Sequence, residues 1–421
     1  MTAAQPKSAL RNTFSVRLAF SFLLGLTSLD YMAAATPNVG VDTGDVVGKV
    51  TVGYQGWFSA PGDGSPVNAW GHDNLEMWPD VREYTTTYQT SRGNLVNGQT
   101  ARMFSSYDDQ VVRTHFRWMA ESGIDCAALQ RFANELRPGS TIKAQRDGMA
   151  VKVMNAARLT GRKFYIMYDT SGWGLRGLKE DWTDTINNRL RLTTSPAYAR
   201  QNGKPVVCFY GMGYARWPAE PAAALELINW FKAQGCYVIG SVPGQWRKGT
   251  GDSRPDFAEV YAAFDMLSAW AVGRRMDPAY EPWIKGDRDA CLANHVEYQP
   301  CIYPGTSFFN SNGSRKNLIP RLHGDFLWAQ FATLRSLDMR TVYIAMFDEL
   351  NEATSIFKCA EDASMQPENP WFLPLDADGV RVSSDFYLRL VKNGGLMLKG
   401  ALPYQAAHTT PFVVPAEVAR P

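Results

Sequence analysis

Near the C-terminal end of the chain an apolar run, Thr341-Val342-Tyr343-Ile344-Ala345-Met346-Phe347, turns abruptly polar at Asp348, Glu349, Asn351, Glu352 and Thr354. Three carboxylates within five residues at the end of a buried strand crowd like charges together. Crowding raises the pKa of at least one of them. One protonated and one ionised acid is the pairing that cleavage of a glycosidic bond requires. If the chain turns into a helix at Glu349, Glu349 and Glu352 stand at i and i+3 on one face, with Cβ atoms about 5–6 Å apart. The competing reading is a solvated first turn of a final helix, where acids are electrostatically favoured.

Other apolar runs also end in groups suited to a sugar. Tyr54 and Trp57 follow the first, Gln130 and Arg131 the second, Tyr168 and Asp169 the third, and Trp246, Trp270 and Tyr303 come later. Aromatic faces pack against sugar C–H groups while amides, carboxylates and guanidinium groups take the hydroxyls. Any one of these rings could equally be a core or lid residue; their common position at strand ends carries the inference. Of five histidines, His72 lies in the long loop after the first run and is a candidate substrate contact. His115 sits in a helical pattern and reads as a structural histidine. No Gly-x-Ser-x-Gly elbow is present, and none of the six cysteines has the setting of a nucleophile or a zinc ligand. No metal site and no cofactor are expected. Cys291 and Cys301, the only closely spaced cysteines in a loop-rich stretch, are the pair expected to bridge if any does.

These groups need a scaffold that gathers strand ends. Strand-like runs at 49–58, 125–132, 163–169, 205–210, 237–242, 266–272, 300–303 and 341–347 alternate with helical patterns such as 108–121, 146–159, 221–234 and 325–337. Most of the runs are continuously apolar, as parallel strands buried on both faces are. Gly123, Gly161, Gly203 and Gly235 precede the next strand and read as helix stops. Eight such units imply an α/β fold of the (β/α)₈ TIM-barrel type, whose working face is the C-terminal end of its strands. A doubly wound sheet is the rival, but no Gly-x-Gly-x-x-Gly follows the first strand.

The barrel is expected over 36–400, followed by a tail at 401–421 without a core. Residues 1–35 read as a secretory signal: Lys7, Arg11 and Arg17 precede an apolar run at 18–26, and Ala33-Ala34-Ala35 offers a cleavage site. Export would leave the protein secreted or periplasmic, with no stable membrane span, since no later run approaches about 20 apolar residues. The chain carries 43 bases and 41 acids. The leader holds three of the bases and one of the acids, so the remainder has 40 of each. A neutral product has no net charge with which to bind nucleic acid or acidic lipid. Its 45% hydrophobic and 20% charged content fits a globular chain.

Taken in order, several segments resemble the glycoside hydrolase family 71/99-like barrels: Gly53-Tyr54-Gln55-Gly56-Trp57-Phe58, Tyr107-Asp108 leading to His115, Ser122-Gly123-Ile124-Asp125 before Leu129-Gln130-Arg131-Phe132, and Met167-Tyr168-Asp169. Gly203-Lys204-Pro205-Val206-Val207, Trp270-Ala271-Val272-Gly273-Arg274, Tyr303-Pro304-Gly305 and the run from Met346 to Thr354 continue it, covering most of 49–358. In family 99 the last strand ends in a pattern like Asn-Glu-Trp-His-Glu-Gly-Thr, whose glutamates match Glu349 and Glu352. The resemblance implies that Glu349 assists attack by the sugar's own 2-hydroxyl, forming an anhydro-sugar, and that Glu352 protonates the leaving oxygen and later activates water. This chain differs from the pattern at Asp348, Leu350, Asn351 and Ala353. A family 99 likeness implies an α-mannoside, a family 71 likeness an α-1,3-glucan.

The sequence thus leads to an exported glycoside hydrolase acting on an α-linked oligo- or polysaccharide, with Glu349 and Glu352 catalytic. Tyr54, Trp57, His72, Gln130, Arg131, Asp169, Trp246, Trp270, Tyr303 and Asp348 are the expected substrate contacts. Two rivals are a glycan-binding barrel without catalysis, and a metal-dependent enzyme holding a hard cation on Asp348, Glu349 and Glu352.

Overall fold

The structure is a computed structural model that describes residues 44–72, 74–217 and 219–413. The expected leader, 1–35, and the last part of the expected tail lie outside the described residues. The first barrel strand, Val50–Tyr54, is buried throughout. It pairs in parallel with Cys126–Phe132 on one side and Val342–Ile344 on the other. From the second strand the sheet continues through Lys163–Asp169, Lys204–Tyr210, Tyr237–Val242 and Met266–Ala269, every pair parallel.

The seventh strand is broken in two. Glu297–Tyr298 pairs with the sixth strand and Cys301–Ile302 with the eighth. Between the halves, the Gln299 N–H donates to Leu267 O at 2.8 Å, and Pro300 O accepts from the Tyr343 N–H at 2.9 Å. The chain itself therefore carries the ring from the sixth strand to the eighth. Pro300, with no N–H to give, sits where the ladder changes partner. This is the expected (β/α)₈ barrel, and all eight strands fall at the positions where apolar runs predict them. Several stop short of those runs, which leaves residues 55–58, 270–272 and 345–347 in the loops above the ring.

Helices alternate with the strands because each must cover one outer face of the ring: Asp109–Glu121, Thr141–Thr160, Pro221–Ala233, Tyr280–Ala293, Asp325–Ser336 and Phe386–Leu398 are the longest. The Ser140 hydroxyl caps the second of these by accepting from the Lys143 N–H at 3.1 Å, and Gly161, at φ +66°, ends it. Gly203 has a different job from the one expected. It turns the chain between Arg200–Gln201 and the fourth strand, an antiparallel pair.

Three further expectations are corrected. No helix begins at Glu349; the final one starts at Phe386, and residues 349–355 form turns closed by the N–H groups of Thr354 and Ser355 on Glu349 O. All six cysteines are free and buried: Cys291 lies on the helix Tyr280–Ala293 and Cys301 in the ring, so no bridge joins them. Residues 401–413 are not coreless, because Thr410 is buried, the Trp328 indole donates to Gln405 O at 3.0 Å, and Asn393 donates to Thr410 Oγ1 at 2.8 Å. Among the described residues no helix is long and apolar enough to cross a membrane.

The last two helices approach closely at Gly394, where an added Cβ would stand 2.6 Å from the Phe331 ring. Alanine is the better helix former by about 1 kcal/mol, yet overpacking of this kind costs about 1–3 kcal/mol. Gly394→Ala is accordingly expected to lower the midpoint of urea unfolding; a raised midpoint would show that the two helices are not packed at this spacing.

Candidate active site

After the eighth strand the chain stays beside the first: the Phe347 N–H donates to Gly53 O at 2.8 Å. Asp348 then makes the junction rigid. Its two carboxylate oxygens accept from the backbone N–H groups of Gln55 and Gly56, at 2.8 and 2.9 Å. The side chain is fully buried. Burial pushes its pKa up to about 6 while the two N–H donors pull the other way. Gly56 supplies the positive φ, +58°, that turns both N–H groups toward one acid.

Held by this clamp, Glu349 points its carboxyl at two donors. Oε2 accepts from Gln55 Nε2 at 2.8 Å and Oε1 from the Asn351 N–H at 2.7 Å. Asn351 in turn donates to His72 O and Asn74 O, tying this turn to the first loop. Glu352 is anchored through its backbone, whose carbonyl accepts from the Ser307 N–H at 3.0 Å and Thr306 Oγ1 at 2.7 Å. Its carboxyl is left to face a cleft of about 580 Å³, walled by Tyr210, Trp270, Arg216, Phe308 and Asn312. The Tyr210 and Trp270 rings meet edge to face at 5.0 Å.

Burial and then the Glu352 charge hold the Glu349 carboxyl above the usual range. Burial and then Asp169 push Glu352 up to about 7, against the pull of Arg216. Asp169 is itself raised by burial, although the Ser171 N–H donates to it at 2.8 Å. Crowded acids of this kind keep a proton among them near neutral pH. The donors decide where charge is best borne: Glu349 accepts two N–H bonds, which favour a carboxylate, whereas Glu352 receives no side-chain hydrogen bond among the described residues. The two acids therefore differ in their hydrogen bonding, Glu349 holding two donors and Glu352 none on its carboxyl among the described residues, while burial raises both.

The structure brings Glu349, Glu352, Asp169 and Trp270 to one place. Gln130 is buried inside the ring, its amide 3.7 Å from Met346 Sδ. Trp57 is sandwiched between His72, 3.8 Å away and nearly parallel, and Phe132 at 5.5 Å, so neither indole face is open. His72 ends that stack and is exposed.

Five expected substrate contacts are corrected. Tyr54 is buried in the helix layer with its hydroxyl on His115 Nδ1 at 2.9 Å, and His115 Nε2 meets the Tyr84 hydroxyl at 2.8 Å. Arg131 forms a buried pair with Asp181 and Asp147, both at 2.6 Å. Trp246 packs against Tyr261 in a separate groove that includes Arg247 and Cys291. Tyr303 is 1% exposed, and its hydroxyl donates to Arg274 O at 2.5 Å. Asp348 has both oxygens on backbone amides, as described. The cause for Tyr54 and Arg131 is strand alternation: of two successive residues at a strand end, one faces into the ring and the next faces the helices. Gln55, Tyr210 and Arg216 are the site residues that sequence reading missed. Gln55 follows Tyr54 on the inward side, and Tyr210 ends the fourth strand just as Asp169 ends the third.

Among the described residues no group of three or more His, Cys, Asp or Glu is arranged to hold a metal ion. The chemistry of the donors agrees, since the oxygens of Asp348 and Glu349 that a cation would need already accept N–H bonds.

No protein-family model matches the chain, and no curated protein matches it. Solved structures do. A GH99 endo-alpha-mannosidase from Bacteroides thetaiotaomicron superposes with a TM-score of 0.60 at 16% identity, over 85% of this chain and 99% of that one. The complex with BIS-TRIS-propane gives 0.61 at 16% identity, over 85% and 98%. A structure described as a glycoside hydrolase-like protein gives 0.50 at 14% identity, over 86% and 97%. The chain thus has a GH99-like barrel fold.

Removing the clamp tests how the site is built. Asp348→Ala leaves two buried N–H groups without a partner, each worth about 1–3 kcal/mol. Thermal unfolding should show a loss of about 2–4 kcal/mol; a stability unchanged within 0.5 kcal/mol would mean that the eighth strand is held by other contacts.

Proposed function

We propose that this protein is an exported glycoside hydrolase that cleaves an α-linked glycan, an α-mannoside or α-glucan, with Glu349 and Glu352 as its catalytic pair. One observation carries the reading: a buried carboxyl, Glu349, and a half-buried one, Glu352, which lines an aromatic-walled cleft, stand three residues apart just beyond the C-terminal end of the eighth strand. The GH99-like fold supports the same class, since the similar solved structures are described as a mannosidase and a hydrolase-like protein. Fold alone does not define a reaction, so the argument rests on the acids.

On an α-mannoside, whose O2 lies trans to the glycosidic oxygen, the Glu349 carboxylate, oriented by Gln55 and Asn351, takes the proton of the sugar 2-hydroxyl as that oxygen attacks the anomeric carbon; on an α-glucan, whose O2 is cis, Glu349 would instead take the proton of an attacking water. Glu352 gives its proton to the departing glycosidic oxygen. On the mannoside an anhydro-sugar results and the aglycone leaves. Water then opens the anhydro ring at the anomeric carbon, losing its proton to Glu352, while Glu349 returns a proton to O2. No cofactor enters, and both acids end as they began.

Incubation with α-mannan and α-glucan oligosaccharides, scored by new reducing ends, tests the function. Protonated Glu352 is lost as pH rises through about 7, so kcat/KM should fall above that pH. Glu352→Gln should lower turnover on the order of 10³-fold with little change in binding, and should remove that alkaline limb. Full turnover in this variant would exclude Glu352 as the acid. Glu349→Gln is likewise expected to lose most turnover; retention of wild-type activity would cancel the base role.

A further inference from the structure

Several arginines have an acid to answer them: Arg131 has Asp181 and Arg146 has Glu135 beside the helices, and Arg247 has Asp287 and Arg254 has Glu220 on the loop after the fifth strand. Four cations on the loops around the mouth of the barrel, Arg137, Arg176, Arg216 and Lys316, form no ion pair among the described residues. Arg216, on the loop after the fourth strand, is exposed on the wall of the cleft that holds Glu352. Its guanidinium carbon lies 4.9 Å from the Trp217 ring centroid and 6.0 Å from that of Tyr214. It forms no ion pair among the described residues. Asp252, the other acid on that wall, has its two oxygens on the backbone N–H groups of Gly244 and Gln245, at 2.8 and 2.9 Å.

The pattern recurs on neighbouring loops of the same face. Arg137 and Arg176 lie 4.7 and 5.9 Å from the Trp173 ring. Lys316 stands 5.0 Å from both Phe309 and Trp371. A guanidinium stacked on a ring is fixed in plane by a contact that uses its face, while its N–H donors stay free at the edge. That forked edge matches the paired oxygens of a carboxylate or a sulfate. The aromatic neighbours fit the rest of a sugar unit.

We propose that Arg216 anchors a subsite for an anionic sugar, one bearing a carboxylate or a sulfate ester, so that the glycan this cleft takes is acidic. The inference rests on the glycan reading above and narrows its substrate class. The other rim cations draw the chain of charges in, and Arg216 seats one of them beside Glu352. Seating has a chemical consequence: an anion on the guanidinium offsets its pull on Glu352 and favours the protonated acid that departure of the leaving group requires.

The test uses neutral α-glucan and α-mannan oligosaccharides together with their C6-oxidised and their O-sulfated forms. Binding is measured on the Glu352→Gln protein, with and without Arg216→Gln or Arg216→Lys. Arg216 is exposed, so both variants are expected to keep the parent Tm. The acidic forms should bind at least tenfold tighter than the neutral parent at low salt, with a preference that shrinks as salt rises. Arg216→Gln should abolish the preference and Arg216→Lys keep part of it; the tighter of the oxidised and sulfated arms identifies the anion. Equal binding of neutral and acidic forms, or a preference that survives Arg216→Gln, overturns the subsite. Wild-type protein that cleaves neutral glycans without preference sinks the subsite alone. Acidic glycans held through Arg216 but never cleaved sink the hydrolase reading alone.

Discussion

Asp348 joins the end of the barrel to its beginning. A single buried carboxylate takes the N–H groups of Gln55 and Gly56 at the top of the first strand, just where the eighth strand runs out. Every other feature of the site is referred to that junction. Gln55 can reach Glu349 because its backbone is fixed by the residue preceding Glu349 in the chain. The turn that follows carries Asn351 and Glu352 from the same fixed point. A barrel has no free edge at which a misplaced strand could slip, so a clamp across its closing pair transmits little error to the acids above it. The position also explains why a buried acid is retained here at the cost of desolvation. An amide side chain could accept from one of the two N–H groups but would point its own N–H₂ at the other.

The same junction organises charge. Glu349 and Glu352 lie in a region from which water is largely removed, and a second ionisation there has to overcome both burial and repulsion. Geometry distinguishes the two acids more sharply than sequence spacing can. One is held by a side-chain amide and a backbone N–H and faces inward. The other is held only through its main chain and presents its carboxyl to the cleft. An asymmetry between chemically identical groups arises in this way from who donates to whom.

How much of this was legible beforehand follows from what each signal measures. Apolar runs such as those at 126–132 and 163–169 report burial on both faces, and burial on both faces is what a barrel strand has, so the ring and its working end could be read directly. Position along the chain does not report direction across it. Reading Gln130 and Arg131 together, or Tyr168 and Asp169 together, as one site ignores that adjacent residues on a strand point to opposite faces. Arg131 and Tyr168, paired across the second and third strands, both reach Asp181 among the helices. Asp169, one residue on, faces the acids instead. The helix that the sequence allowed at Glu349 does not form, for a related reason. Three acids beside an apolar run satisfy the pattern of a helix start, but the pattern carries no information on the hydrogen bonds that Asp348 makes to a segment almost three hundred residues earlier.

Net charge is another quantity that averages away what matters. With 43 bases against 41 acids, net charge supplies no long-range attraction to a polyanion. A substrate in the mouth of the barrel meets only the groups within about 8–10 Å, the distance over which salt leaves charges visible. There Asp169, Asp348 and Glu349 are buried and Asp252 is bound to backbone amides, whereas Arg137, Arg176, Arg216 and Lys316 lie beside aromatic rings with no ion pair among the described residues. Neutral composition is compatible with unpaired cations at particular places on the mouth because ion pairs elsewhere absorb equal numbers of both signs. Where the pairs are absent, the field at the site is set by the few residues left over, and these are the ones that a ligand reads.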